Sequence, residues 1–218
     1  MSLRIEALPV GPFQANCYLV TDDALPGRCI VVDPGDEGDG IAARLRARAL
    51  VPEAIFITHA HLDHVGGVAA LRRAFPDAPV RLHEADFPLW ARVVDQGRAY
   101  GLAVEAPGEV DATWHEGDVV DFGPHRFTVH HLPGHAPGHV ALVCGDDALV
   151  GDLLFRGSIG RTDLPGADPA RMRESLERIA AWPASLTLHP GHGPATTLGE
   201  ELRDNPFLSG LARPLGAR

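Results

Sequence analysis

The run Thr58-His59-Ala60-His61-Leu62-Asp63-His64 places three imidazoles and one carboxylate within a few residues of each other. It follows Ala54-Ile55-Phe56-Ile57-Thr58, which reads as a buried strand. The motif therefore lies where a strand gives way to a loop, a position from which rigid scaffolds present reactive groups. In an extended stretch residues two apart point the same way, so His59 and His61 share a face. Asp63 and His64, past the turn, can aim at a second point a few ångströms away. Neutral imidazole and carboxylate suit Zn, Fe, Mn or Ni, and the lack of a nearby cysteine argues against a structural thiolate site.

A surface loop that is merely rich in histidine would have no counterparts elsewhere. Here three other segments supply matching donors, each beside Gly or Pro at the end of an apolar run. His135 stands in Leu132-Pro133-Gly134-His135, Asp152 follows Ala148-Leu149-Val150-Gly151, and His192 stands in Leu188-His189-Pro190-Gly191-His192. Five histidines and two aspartates are thus available for two divalent metal ions, zinc first, with iron or manganese also suited. Two such cations would lower the pKa of a water between them and yield a hydroxide able to attack a carbonyl carbon.

Several elements must position these residues. Strands are predicted over Leu3 to Leu8, Cys17 to Thr21 and Cys29 to Asp33, the last stopped by Asp33-Pro34-Gly35-Asp36. A helix over Gly40 to Leu50 has Ile41, Leu45 and Ala49 on one face, and another covers Val68 to Phe75. A strand at Val80 to His83 leads into a helix over Glu84 to Tyr100, with Phe87, Trp90, Ala91 and Val94 inward. The second half predicts strands at Val119 to Phe122, Arg126 to His130, Val140 to Cys144 and Ala148 to Val150. A Gly-rich loop from Gly151 to Gly166 precedes a helix capped by Asp168 with Pro169 in its first turn. A last strand, Ser185 to Leu188, and a short helix, Leu198 to Arg203, complete the chain. Two comparable halves imply two sheets packed face to face with helices outside, in an α/β protein.

Composition bounds the function. With 218 residues and 45% apolar content, one domain of generous size, residues 1–218, or a tightly fused pair of similar halves is expected. A net charge of −10 with no clustered basic tract excludes a nucleic-acid partner. No segment approaches about 18 uninterrupted apolar residues, so no membrane is expected, and no basic-then-apolar leader opens the chain. Cys17, Cys29 and Cys144 are odd in number, widely spaced and set in apolar runs. They read as buried free thiols of a cytoplasmic protein, packing the core rather than serving as nucleophiles.

The combined ligand set, from the first strands to His192, resembles the metallo-β-lactamase superfamily, and within it the type II glyoxalases (hydroxyacylglutathione hydrolases). That resemblance implies an αβ/βα four-layer sandwich of two mixed sheets. It also implies a first metal on His59, His61 and His135, a second on Asp63, His64 and His192, and Asp152 bridging the two. Asp152 stands where true β-lactamases of the family commonly carry Cys. The implied activity is hydrolysis of a small thioester of the S-lactoylglutathione type, with Asp63 and Asp152 offsetting the metal charge. Arg161, in the loop after Asp152, matches in position a basic residue that contacts the glutathione part of the substrate in that family. Only 26 residues follow His192, and the closing segment from Thr196 to Leu208 looks like the short single-domain bacterial members. The segment Gly160-Arg161-Thr162-Asp163 also resembles persulfide dioxygenases, in which His59, His135 and Asp152 would hold one iron. A binding protein without turnover would be expected to lack a ligand, and none is missing.

Among other residues, Asp33 either orients a ligand histidine or starts its turn. His139 and His189 flank ligands as supporting residues. His83, His115, His125, His130 and His131 belong to packing or the surface.

Overall fold

The structure is a computed structural model that describes residues 3–216. The chain divides into two compact units, Met1–Trp114 and His115–Arg218.

The first unit holds β1 (Leu3–Val10), β2 (Ala15–Asp22), β3 (Arg28–Val32), α1 (Gly38–Ala47), β4 (Val51–Phe56), α2 (Leu62–Val65), α3 (Val68–Ala74), β5 (Val80–His83), α4 (Phe87–Trp90), α5 (Val93–Ala99) and β6 (Ala112–Trp114). Its sheet runs β1 to β6 in chain order. The β1–β2 and β2–β3 pairs are antiparallel, and the next three pairs are parallel. Strands β2 and β3 are buried along almost their whole length, as expected for strands covered on both faces. Ile41, Ala42 and Leu45 of α1 and Val68 and Leu71 of α3 join Val31 and Ile55 of the sheet in one core.

Glycine permits two close approaches that set the histidine motif. A Cβ on Gly35 would lie 1.5 Å from the carbonyl oxygen of Asp63, and one on Gly38 would lie 2.4 Å from that of Gly67. The turn after β3 thus nests directly on the backbone that carries Asp63, and Gly67 N–H donates to Pro34 O at 2.8 Å.

The helix expected over Glu84 to Tyr100 is instead three pieces: a 3₁₀ turn at Glu84–Asp86, then α4, then α5. Pro88 sits in the first turn of α4, where its missing N–H costs nothing and the helix starts afresh. The break after Trp90 re-aims the chain, so Val93 is buried while Phe87 and Ala91 face solvent and Val94 is half-buried. Strand β4 begins three residues earlier than expected and ends at Phe56. The three residues of β6 and the one turn of α2 are too short to carry a readable period.

The second unit holds β7 (Val119–Phe122), β8 (His125–His131), β9 (Val140–Cys144), β10 (Asp147–Gly151), β11 (Leu154–Phe155), β12 (Ser158–Ile159), α6 (Pro169–Ala180), β13 (Thr187–Pro190), β14 (Thr196–Thr197) and α7 (Leu198–Asp204). Its sheet is ordered β14-β13-β10-β9-β8-β7, with β11 and β12 forming a separate ribbon. Only β10 and β13 pair in parallel, so this sheet too is mixed. Helix α6 buries Met172, Leu176 and Ile179 at helical spacing against Leu186 and Leu188. The Asp168 carboxylate accepts from the N–H groups of Ala170 and Arg171, the cap expected from the sequence. A capping box of Thr197 and Glu200 starts α7. Among the described residues no helix is long and apolar enough to cross a membrane.

The glycine contacts make opposite predictions for two neighbouring positions. Gly35→Ala should lower unfolding stability by about 1–3 kcal/mol, because backbone occupies the space the methyl needs. Gly40→Ala, inside α1 with its nearest atom 3.8 Å away, should raise stability by roughly 0.5–1 kcal/mol. Urea midpoints at constant slope measure both.

Candidate metal centre

The loop after β4 carries His59 and His61, and α2 carries Asp63 and His64, four of the expected donors. His59 and His64 are fully buried, His61 nearly so, and Asp63 is partly exposed. The rings of His59 and His61 lie 4.8 Å apart, and those of His59 and His64 lie 4.1 Å apart. The Asp63 Oδ2 is 3.9 Å from His64 Nε2.

Asp33 organises this group. It follows β3, takes a left-handed backbone (φ 49°) and is buried. Its Oδ1 accepts the Thr58 N–H at 2.7 Å, and its Oδ2 accepts the Thr58 hydroxyl at 2.6 Å. His64 Nδ1 lies 3.0 Å from the same Oδ2. An ionised carboxylate only accepts, so His64 carries its proton on Nδ1 and turns the Nε2 lone pair outward. The Thr58 hydroxyl has given its proton to Asp33, so at 3.1 Å it accepts from His59 Nδ1. One carboxylate thus sets the tautomer of two histidines, and of the two roles expected for Asp33 the orienting one is formed.

Two residues of this network have no signature in the sequence pattern. The buried Asp86 accepts the Ala60 N–H through Oδ2 at 2.8 Å. Gln96 of α5 accepts the Leu62 N–H at 3.0 Å and donates to Ala60 O at 3.1 Å. Both hold the backbone between His59 and Asp63.

The second unit presents the other three donors. Asp152 follows β10, with its Oδ2 3.4 Å from His135 Nε2 and 3.6 Å from His192 Nε2. Donor atoms on a tetrahedral ion with bonds of about 2.1 Å are separated by about 3.4 Å, so these spacings fit shared coordination. His135 Nδ1 donates to Arg161 O at 2.8 Å, which again leaves Nε2 as the lone-pair nitrogen. The buried His139 accepts the Asp152 N–H at Nε2, 3.0 Å away, and so acts in the supporting role expected of it. His189 meets Asp147 at 2.7 Å. Gly160 is needed for the loop to close: a Cβ there would lie 1.9 Å from Asp152 O and 3.0 Å from His135 Nδ1. Every cluster of three or more His, Cys, Asp or Glu side chains found close enough to share an ion, among the described residues, is drawn from these seven residues.

The donor chemistry therefore fits divalent metal ions. The residues are imidazole nitrogen and carboxylate oxygen, buried or half-buried, and three imidazoles have their tautomer set to offer Nε2. The side chain of Arg161 is exposed and forks onto Asp163 at 2.9 and 3.0 Å. The three cysteines are buried and free. Burial pushes the Cys29 thiol up to about 12 and raises those of Cys17 and Cys144 as well. Thiols held protonated in this way are poor nucleophiles.

A profile of the metallo-β-lactamase superfamily matches residues 10–197. The chain belongs to the metallo-β-lactamase superfamily. It is 37% identical over 215 residues to the probable metallo-hydrolase YqgX of Bacillus subtilis, covering 96% of this chain and all of that one. It is 34% identical to the hydroxyacylglutathione hydrolase GloC of Haemophilus influenzae, covering 95% of this chain and 99% of that one. The crystal structure of TTHA1623 in a di-iron-bound form superposes with a TM-score of 0.86 at 47% identity, covering 93% of this chain and all of that one. ETHE1 from Myxococcus xanthus superposes at 0.77 with 25% identity, over 95% of this chain and 85% of that one. The expected metallo-β-lactamase-type α/β fold is thereby shown, and the superfamily's metallo-hydrolases are the relatives of this chain.

Two outcomes follow for the centre. Asp33→Asn, which places an amide beside two donors, should weaken metal binding about 10–100-fold, read by competition with a chelator of known affinity. Because their thiols stay protonated near pH 8, none of the three cysteines should react with a chromogenic disulfide in the native state. All three should react in denaturant.

Proposed function

We propose that this superfamily metallo-hydrolase cleaves a small thioester of the S-lactoylglutathione type at a dinuclear centre. His59, His61 and His135 would hold one divalent ion, Asp63, His64 and His192 the other, and Asp152 would bridge them. Zinc is the first choice of metal, with iron or manganese able to serve the same donors. The observation that carries this reading is the Asp152 carboxylate, whose Oδ2 is nearly equidistant from His135 Nε2 and His192 Nε2. The 34% identity to a hydroxyacylglutathione hydrolase along almost the whole chain supports the substrate class.

Two divalent ions supply Lewis-acid chemistry when bound, lowering the pKa of water toward about 7 and polarising a carbonyl. The protein's own residues orient and balance them. Asp33 and Arg161 O keep protons on the Nδ1 atoms of His64 and His135, which leaves their Nε2 lone pairs as the atoms that would hold the ions. Asp63 and Asp152 would add two negative charges to offset the cations without a thiolate. No cysteine acts, since burial keeps the thiols protonated. Arg161 is proposed to meet a substrate carboxylate, with Asp163 holding its fork in place until the substrate arrives.

A mononuclear iron centre on His59, His135 and Asp152 would give His61, Asp63, His64 and His192 no task. The structure nonetheless orients His64 as carefully as His135, which favours two ions.

Asp152→Ala should lose both metal and thioester hydrolysis, the latter by at least a hundredfold, with metal counted by elemental analysis and turnover followed by loss of thioester absorbance. Intact activity in that variant would overturn the assignment. One iron per chain, with oxygen consumed and no thioester cleaved, would replace it with the dioxygenase.

A further inference from the structure

The closing segment from Thr196 to Leu208 carries no metal ligand, yet besides the buried Thr196 it holds two fully or nearly fully buried polar side chains, Glu201 and Asn205. Both point at the β11–β12 ribbon rather than at solvent. Asn205 Nδ2 donates to Phe155 O at 3.2 Å, to Ser158 O at 3.1 Å and to Glu201 Oε2 at 2.8 Å. Its Oδ1 accepts the Phe207 N–H at 3.0 Å. Glu201 Oε2 accepts the Gly157 N–H at 2.8 Å, and its Oε1 accepts the Thr196 hydroxyl at 2.7 Å. The turn of the ribbon is thus gripped at three backbone points, at residues 155, 157 and 158. A second hold lies further along, where the buried Thr162 hydroxyl donates to Leu215 O at 2.7 Å.

The gripped ribbon touches the metal ligands at both ends. The ring of Phe155 stands edge-on to His192, with centroids 5.9 Å apart and planes at 89°. Beyond the ribbon, Arg161 O accepts from His135 Nδ1, and Gly160 packs on Asp152. Three ligands of this unit therefore take their orientation from one short ribbon and its exit loop. The ribbon's apolar side chains, Leu154 and Ile159, are anchored in the core cluster that includes Leu198 of α7. Packing fixes how deep the ribbon sits, and the directional hydrogen bonds fix its angle.

We propose that Glu201 and Asn205 are positioning residues that lock the β11–β12 ribbon, and through it the orientation of His135, Asp152 and His192. The donor count supports this role. A buried carboxylate that receives three neutral donors and no cation is costly unless each bond is made, and here every one of those bonds is directed at the ribbon or at residues of the same segment. This inference deepens the metallo-hydrolase reading and rests on it for what the ligands do.

The test uses full-length protein loaded with cobalt(II), whose visible bands report ligand geometry. Asn205→Ala and Glu201→Gln should shift those bands and weaken cobalt binding by about tenfold, at the lower end of the range for residues that orient ligands. Amide exchange at Gly157 should quicken in Glu201→Gln. The apolar anchor predicts a cooperative unfolding transition in both. Should Asn205→Ala fail to fold, Asn205→Asp keeps the acceptor for Phe207 N–H and removes the donations to Phe155, Ser158 and Glu201. Lower thermal stability with unchanged cobalt bands and affinity would overturn the proposal. A native protein that binds cobalt but cleaves no thioester would overturn the substrate reading and leave this measurement intact.

Discussion

The buried Asp33 carboxylate is the contact on which the first half of the centre depends. It receives the Thr58 N–H, the Thr58 hydroxyl and the His64 Nδ1 proton, and through Thr58 it reaches His59. A negative charge in the interior is stable only when donors surround it, and these donors are the ones that hold His59 and His64, two candidate ligands, in place. Asp33 occupies a left-handed conformation ahead of Pro34, and Gly35 lets that turn touch Asp63. Backbone strain, close glycine contact and ligand tautomer are thus parts of one arrangement.

The second unit reaches the same end by other means. Beside His135 a backbone carbonyl, Arg161 O, sets the tautomer, and a histidine, His139, accepts the Asp152 N–H. Because a carbonyl orients a ligand only as well as its own loop is fixed, the loop needs external restraint. The hydrogen bonds from Glu201 and Asn205 and the hold on Thr162 supply it. Ligand orientation in this unit is therefore coupled to the closing segment of the chain, while in the first unit it is coupled to the end of β3.

Membership of a superfamily that hosts several chemistries makes the site, rather than the fold, the ground for any statement about reaction. What the site itself offers is an aspartate at position 152, buried cysteines kept protonated, and three imidazoles whose Nδ1 atoms are engaged so that Nε2 is left as the lone-pair nitrogen. The exposed guanidinium of Arg161 is paired with Asp163, so its charge is held locally on a chain that is acidic as a whole.

Much of this was legible in the residues alone. The histidine run, the strand-end placement of His135, Asp152 and His192, the Asp168 cap and most strand positions follow from apolar periodicity and from Gly and Pro, which act over a few residues. The broken helix at Glu84–Tyr100 was not legible, since Pro88 is as much at home in a first turn as it is disruptive within a helix, and only packing around Trp90 and Val93 decides. Nor were Asp86, Gln96, Glu201 and Asn205, whose partners lie 26 to 50 residues away. Which donors the sequence offers is a matter of residue type and local spacing. Which nitrogen each histidine turns toward a metal is set by hydrogen bonds between segments remote in the chain, and those exist only once the tertiary structure has formed.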